Sequence, residues 1–414
     1  MSTVAAPAPL FGRISRKDRA FGAFGVVAGI LAALGLSGRG TEATFSFNVV
    51  NSAIEVPVLT VDVAGTVVTL GLLAAAIGAV QAVRGTDGHE VRWLAASSVL
   101  LLCGFLTWAA ADTTLFVVSL LSTAIKAATP IALGALAGVI GEKSGIINIA
   151  IEGQLLVGAF TAAIISGLVG PWFGLSAAMV AALGIGMILA VFSIRYRADQ
   201  IIVGVVLVVL GSGLTGFLVG QLPTGLNSSQ RFRTVNVPLL SDIPVVGPLL
   251  CRQTIIIYLM FAGVVVTTWL LYQTRWGLRV RAVGETPAAA DTVGISVPRM
   301  RYQAVAVGSL FAGIGGAYYT LDSSGQFSRD MTAGRGFIAL AAVLVGRHHP
   351  VGALGAAMIF GLADAMATSL GIIGVPIDSN LLATAPYLAT ILVVAGVIGR
   401  VRVPAAGGQP YVKE

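Results

Sequence analysis

The most chemically loaded feature of this sequence is an acidic residue inside an apolar run. Glu152 stands in Gly141-Glu-Lys-Ser-Gly-Ile-Ile-Asn148-Ile-Ala-Ile-Glu152-Gly-Gln154. A carboxylate at the centre of a bilayer-spanning helix costs about 2.5–3.5 kcal/mol on insertion scales, so it must face protein or water. Two roles suit it: a structural hydrogen-bond hub near a helix end, or a polar group lining a path. Ser144-Gly145 breaks the preceding helix, and a new apolar run starts at once. Polar groups at such a break line the path in transporters with interrupted helices. Asn148 and Glu152 are four apart and would share a helix face, with Gln154 pointing elsewhere.

A second polar cluster lies in Asp330-Met-Thr332-Ala-Gly334-Arg335-Gly336-Phe337. Gly334 and Gly336 permit backbone turns that other residues resist. A half-helix after them would aim free N–H groups and the positive end of its dipole at a cavity. Alternatively, an external loop feeds an ordinary span and Arg335 snorkels to the headgroups. Asp364 and Lys126 also fall in apolar runs, where either could join a proton relay. Asp364 fits a packing carboxylate with a nearby donor. Lys126 fits the outer interface, with Leu115–Ser122 lying along the membrane. The three histidines, His89, His348 and His349, fall on loops without cysteine or carboxylate at metal spacing, so no metal site is expected. Cys103 and Cys251 form no disulfide or metal framework. There is no G-x-x-x-x-G-K-[ST] loop, no H-E-x-x-H and no plausible Ser/His/Asp set, so no catalytic residues are expected and no ATP through a P-loop.

The elements that must position these groups are membrane helices. The 414 residues are 56% hydrophobic and only 10% charged, with mean hydropathy +0.92; a soluble domain carries about 25% charged residues. The net charge of +7 sits at loop edges, which marks orientation in the bilayer rather than nucleic-acid binding. With about 20 apolar residues needed per span, the predicted spans are Ala20–Leu36, Leu59–Val83, Trp93–Ala111, Leu115–Ile140, Ile147–Val169, Trp172–Phe192, Ile201–Gly220, Ile255–Tyr272, Gln303–Leu321, a short Gly336–Gly346, Val351–Leu370 and Leu381–Ile398. The fold class is therefore all-α: a polytopic membrane protein of about 11–12 transmembrane helices in the cell membrane. Arg13, Arg16, Lys17 and Arg19 precede the first span, which is read as uncleaved. Alternation from a cytoplasmic N-terminus puts Arg84–Arg92, Glu142–Lys143, Arg195–Arg197, the loop after Gly277, Arg347 and Arg400–Arg402 inside. The long loop Gln221–Thr254 falls outside. Both termini are thus cytoplasmic, and Gly336–Gly346 is short enough to be re-entrant.

The loop Gly277–Pro298 contains a two-turn helix. Thr286 caps it, Pro287 suits its first position, Ala288-Ala289-Ala290 propagates it and Gly294 stops it. Its pattern G-x-R-x-R-A-V-G-E-x-P-x-A-A-D-x-x-G-I resembles the coupling-helix signature of permease subunits of type II ABC importers, in the nucleoside and simple-sugar branch. E-K-S-G-I-I-N-I-A-I-E-G resembles a block of the nucleoside permeases, as does M-T-A-G-R-G-F-I-A-L-A-A, in the variant of the second of their two paired subunits. Ala198-Asp199-Gln200-Ile-Ile-Val-Gly204 resembles the family's entry to a core helix, but Val208 stands where many members carry Asn.

The resemblance covers roughly residues 114–400. It implies a permease core over 113–400, a three-span N-terminal extension over 1–112 and a cytoplasmic tail over 401–414. It implies ATPase coupling through Gly284, Glu285, Pro287, Ala288, Ala289, Ala290, Asp291 and Gly294, and a substrate path at Asn148, Glu152, Gln154, Gly334, Arg335, Gly336 and Phe337. Phe337 could stack on a base or simply pack. The implied partners are a homologous second permease in a heterodimer, a separate ATPase subunit that uses the ATP, and an extracytoplasmic substrate-binding lipoprotein. The chain itself would be no enzyme and bind no cofactor directly. Nucleosides are the expected cargo. A simple sugar of ribose type is the alternative that Val208 keeps open, and a proton-driven secondary transporter is a third.

Overall fold

The structure, a computed structural model, describes residues 16–35, 40–48, 56–85, 89–223, 225–238, 240–241, 243–375, 377–378, 381–382, 384, 387 and 403–413. The predicted span Leu381–Ile398 falls almost wholly outside these residues, and Arg13 and Arg400–Arg402 lie outside them. Among the described residues, ten helices are long and apolar enough to cross a membrane. The chain divides into two compact units, one up to Ser119 with Ser369–Ile377, the other Leu120–Thr368 with Asp378–Glu414.

The first unit holds α1 (Arg16–Gly35), α2 (Val63–Arg84) and α3 (Glu90–Ala109). Small residues spaced seven apart let α1 and α2 cross closely: a methyl added at Gly22 would sit 2.6 Å from the Gly78 carbonyl oxygen, and Gly29 meets Gly71 in the same way. The predicted span from Leu59 starts later than expected. Residues Leu59–Asp62 form strand β2, which pairs antiparallel with β1 (Glu42–Ser46), while β3 (Thr114–Phe116) pairs parallel with β1 on its other side. Asp62 ends β2 and caps α2, accepting from the Gly65 amide at 2.5 Å.

The long helices of the second unit are α4 (Val117–Lys143), α5 (Ile151–Val169), α6 (Pro171–Ala190), α7 (Gln200–Gln221), α8 (Ile255–Gln273), α11 (Val297–Tyr318) and α13 (Pro350–Ile373). Short strands β4 (Val235–Asn236) and β5 (Arg252–Gln253) pair within the 221–254 loop. Between α8 and α11 the polar loop is two helices, α9 (Arg275–Glu285) and α10 (Pro287–Thr292). The part of the polar loop ahead of α10 is thus helical, because Gly277, Val280, Val283 and Gly284 put one buried face at helical spacing. The last of these elements before α13, α12 (Arg335–Val345), has 11 residues. At about 1.5 Å per residue it reaches roughly half of a ~30 Å hydrocarbon core.

The central core is built from α4, α5, α8, α11 and α12, with Ile131, Leu155, Met260 and Ala339 among its buried side chains. Gly134 lies against Ala339 and Gly138 against Val343, so α12 runs beside the second half of α4. Leu115–Ser122 does not form a separate segment along the membrane: from Val117 it belongs to the single helix α4, on which Lys126 is exposed.

The packing agrees with the topology read from charge. Four stretches assigned to the cytoplasm touch one another. Ala406 of the tail donates its amide to the Gly284 carbonyl (2.9 Å), Gly408 donates to Gly145 (3.1 Å), and His348 lies against Glu142. At the opposite face the Asn227 side chain donates to the Phe327 carbonyl at 2.8 Å and accepts from the Phe327 amide at 2.9 Å, pinning the external loop over the end of α11.

Candidate functional site

The site centres on the N-terminus of α12. A helix start leaves backbone N–H groups without partners, and here a carboxylate from another helix supplies them. Glu152 Oε1 accepts from the Thr332 hydroxyl at 2.6 Å and the Gly334 amide at 2.8 Å, and Oε2 accepts from the Gly336 amide at 2.6 Å. Glu152 is 5% exposed and Thr332 is fully buried. Gly334 has φ +75°, which turns the chain into the helix. A side chain at Gly336 is impossible without movement, since its Cβ would lie 2.5 Å from the Glu152 Cα. The half-helix therefore exists as expected, but a carboxylate of the protein itself occupies its positive end.

Asn148 does not share a face with Glu152. The chain runs without helix through Ile147 and Asn148 and turns at Ile149-Ala150 before α5 starts, so the four-residue spacing loses its helical meaning. Instead Asn148 Nδ2 donates to Gln154 Oε1 at 3.0 Å, and Gln154 Nε2 donates to the Ser309 hydroxyl at 2.9 Å. This buried chain ties α5 to α11. Asn148 Oδ1 is buried without a hydrogen-bond partner. Gln200, at the start of α7, accepts from the Ile147 amide at 2.7 Å and supports the irregular segment, while Asp199 caps α7 through the Ile201 and Ile202 amides. The backbone of α7 at Val208 packs on α5, its Cα 3.2 Å from where a Cβ on Gly153 would be.

Arg335 does not snorkel alone, because its Nη2 meets Asp364 Oδ2 at 2.8 Å. That supplies the donor expected for Asp364. Phe337 is 47% exposed, with its ring edge 3.9 Å from where a Cβ on Gly334 would be. Tyr387 donates its hydroxyl to the Ala333 carbonyl at 2.9 Å, at the turn into α12.

At the cytoplasmic end, Thr286 precedes α10 and Pro287 opens it, but Thr286 makes no side-chain cap. The helix has six residues rather than a full two turns, and Gly294 leaves it at φ +83°. Ala288 and Ala289 are exposed, whereas Ala290 packs on Val283, Val297 and Met300. Gly284 sits directly against the Lys143 carbonyl, where any side chain would collide. Glu285 is exposed, with its carboxylate 3.5 Å from the Ala405 amide. Asp291 accepts from the Tyr411 hydroxyl at 3.0 Å and pairs with Lys413 at 3.2 Å.

The histidines at the α12–α13 turn are more than loop residues. Arg347 and His348 both take positive φ, +55° and +56°, which folds His348 under the end of α4. It is completely buried, with Nε2 2.6 Å from Glu142 Oε2. His349 stacks on Tyr272 at 4.9 Å, and Arg281 covers the same ring at 5.0 Å. Burial and the neighbouring Lys143 charge lower the His349 pKa below the usual histidine range. Ser309 and Arg301 were not singled out from sequence as site residues, and Thr332 and His348 were given no partner there. Ordinary polar residues at helix ends carry no signal until their partners are known.

Residues 119–398 match the family described as branched-chain amino acid transport system / permease component. The chain belongs to this permease family. The permease is 39% identical over 319 residues to a guanosine ABC transporter permease of Bacillus subtilis, covering 72% of this chain and 98% of the relative. To a nucleoside ABC transporter permease of Lactococcus lactis it is 37% identical over 306 residues, covering 69% and 94%. A putative glucose ABC transporter permease of Haloferax volcanii is 33% identical over 331 residues, covering 72% and 99%. Each of these organisms has a second, more distant permease among the matches, between 24% and 28% identical. The permease thus stands nearer one member of each pair, in line with the paired-subunit variant of its half-helix motif. No solved structure matches. Like these relatives it is a multi-pass membrane permease subunit, not an enzyme.

Proposed function

We propose that the permease forms half of the membrane channel of an ATP-driven importer and that its cargo is a nucleoside. Two relatives, 39% and 37% identical, are named for guanosine and for nucleosides, against one at 33% named for glucose. A homologous second permease completes the channel, a separate ATPase docks at α10, and a binding lipoprotein delivers substrate from outside.

The observation that carries the mechanism is the Glu152 cap on α12. The half-helix is held at its N-terminus by α5 and near its C-terminus by the His348–Glu142 contact with α4. Both supports lie on the polypeptide around the Ser144–Gly145 turn, against which Gly284 presses just before α10. Displacing α10 would shift the ends of α4 and α5, and α12 with them. Such a discretely packed element is what alternating access requires.

Against the proton-driven alternative stands the chemistry of the cap. Its three donors need Glu152 as an acceptor, so protonation at every turnover would repeatedly break the seat of α12. The deciding experiment is uptake of labelled guanosine, uridine, adenosine and ribose with and without this gene, repeated with a protonophore while ATP is held constant. Gene-dependent nucleoside uptake that survives the protonophore is expected. Ribose uptake alone would reassign the cargo, and loss of uptake with the gradient would overturn the ABC mechanism.

A further inference from the structure

The C-terminal tail makes a set of contacts that a passive terminus has no need of. Arg301, near the start of α11, is 1% exposed and lies under this tail. Its Nε donates to the Ser144 carbonyl at 3.2 Å and its Nη1 to the Gln409 carbonyl at 3.0 Å. Gly145, at φ +89°, leaves room for the guanidinium: a Cβ there would lie 3.0 Å from Nη2. Burying a cation is expensive unless its protons are satisfied. Here two of its three nitrogens are satisfied by carbonyls of segments far apart in sequence, while Nη2 has no hydrogen-bond partner among the described residues. The tail then continues across the cytoplasmic face. Ala406 N donates to Gly284 O, Gly408 N donates to Gly145 O, and Tyr411 and Lys413 close on Asp291 of α10.

We propose that residues Pro404–Lys413 form a strap that clamps α10 to the Ser144–Gly145 turn, with Arg301, Tyr411 and Lys413 as its positioning residues. The strap makes α10, α9 and the turn ahead of Glu152 one mechanical body. Movement imposed on α10 is therefore delivered to the cap on α12 instead of being absorbed by the six-residue helix alone. This inference rests on the importer function proposed above.

The test uses the complete complex, with both permeases, ATPase and binding protein, reconstituted in proteoliposomes, reading nucleoside uptake and ATP hydrolysis together. Tyr411→Phe with Lys413→Ala releases the strap from α10 and leaves the buried Arg301 contacts in place. ATP hydrolysis within twofold of wild type, with uptake per ATP reduced about fivefold or more (the lower end of typical inter-site coupling), is the expected result. Truncation after Val403 should reduce the ratio further, and Arg301→Lys should retain more of it than Arg301→Met. An unchanged ratio in the double variant overturns the proposal, as does a fall in uptake and hydrolysis strictly in step with lost assembled complex, the signature of a merely structural role. Absence of uptake by the wild-type complex, with hydrolysis intact, would instead strike at the importer function and take the strap's role with it.

Discussion

At Glu152 one carboxylate meets donors that lie 180 to 184 residues further along the chain. Charge-assisted bonds of this kind are stronger than neutral ones, and a buried donor stripped of its partner costs about 1–3 kcal/mol. Glu152→Gln keeps the shape but turns an NH2 group toward a backbone N–H. It is expected to lower the melting temperature of the purified permease by several degrees and to cut uptake about tenfold, the equivalent of ~1.4 kcal/mol. Equal uptake and equal melting would show that the cap is dispensable. Gly336→Ala attacks the same contact from the other side, since its methyl would meet the α5 backbone. Uptake should fall at least as far, and a soluble, fully active variant would disprove the close approach. At this scale the sequence marked Glu152, Gly334 and Gly336 separately, as a costly charge and as turn formers. It could not join them, because the join is a tertiary contact. The shared face of Asn148 and Glu152 failed for a local reason: the helix was assumed to begin before Ile149-Ala150, where the chain turns.

Among the elements, α10 and the last residue of α9 carry an exposed outer face. Ala288, Ala289 and Glu285 are exposed, while Ala290 anchors the helix beneath. Ala289→Trp places a bulky ring on the face we propose as the ATPase dock, and Glu285→Arg reverses a charge beside it at the end of α9. Both are expected to abolish uptake while membrane insertion, read by protease protection of the loops, stays intact. Normal uptake in a well-expressed variant would remove the docking role of α10. The first residue and the stop of α10 were legible because Pro287 and Gly294 act through local backbone preferences, whereas the expected Thr286 side-chain cap does not form. Helix α9 was missed because its arginines dominated the reading, although its buried positions carry helical spacing. The length of α12 was also legible, whereas the carboxylate seated at its end was not.

On the scale of the whole molecule, the family match begins at residue 119, and the relatives are covered almost end to end by about seven tenths of this chain. The helices α1–α3 lie ahead of the family match, and we propose that they are an addition to the permease core. A chain starting at Thr113 with an added methionine is expected to assemble and to import within about threefold of the full-length permease, as a unit with its own core should. Loss of assembly, read by co-purification with the second permease, would make those helices part of the working structure.

Taken alone, the sequence determined the membrane class, the approximate spans and the short helix α10, because hydropathy and backbone preferences act over a few neighbouring residues. It also left the role of Glu152 open between a hub and a path group. Only the tertiary structure decided that Glu152 seats α12, that His348 is buried against Glu142, and that Arg301 joins the tail to the Ser144–Gly145 turn. Each of those contacts brings a buried polar group to a partner far away in the chain, and the cost of burying such a group is set by the packed interior rather than by any local pattern.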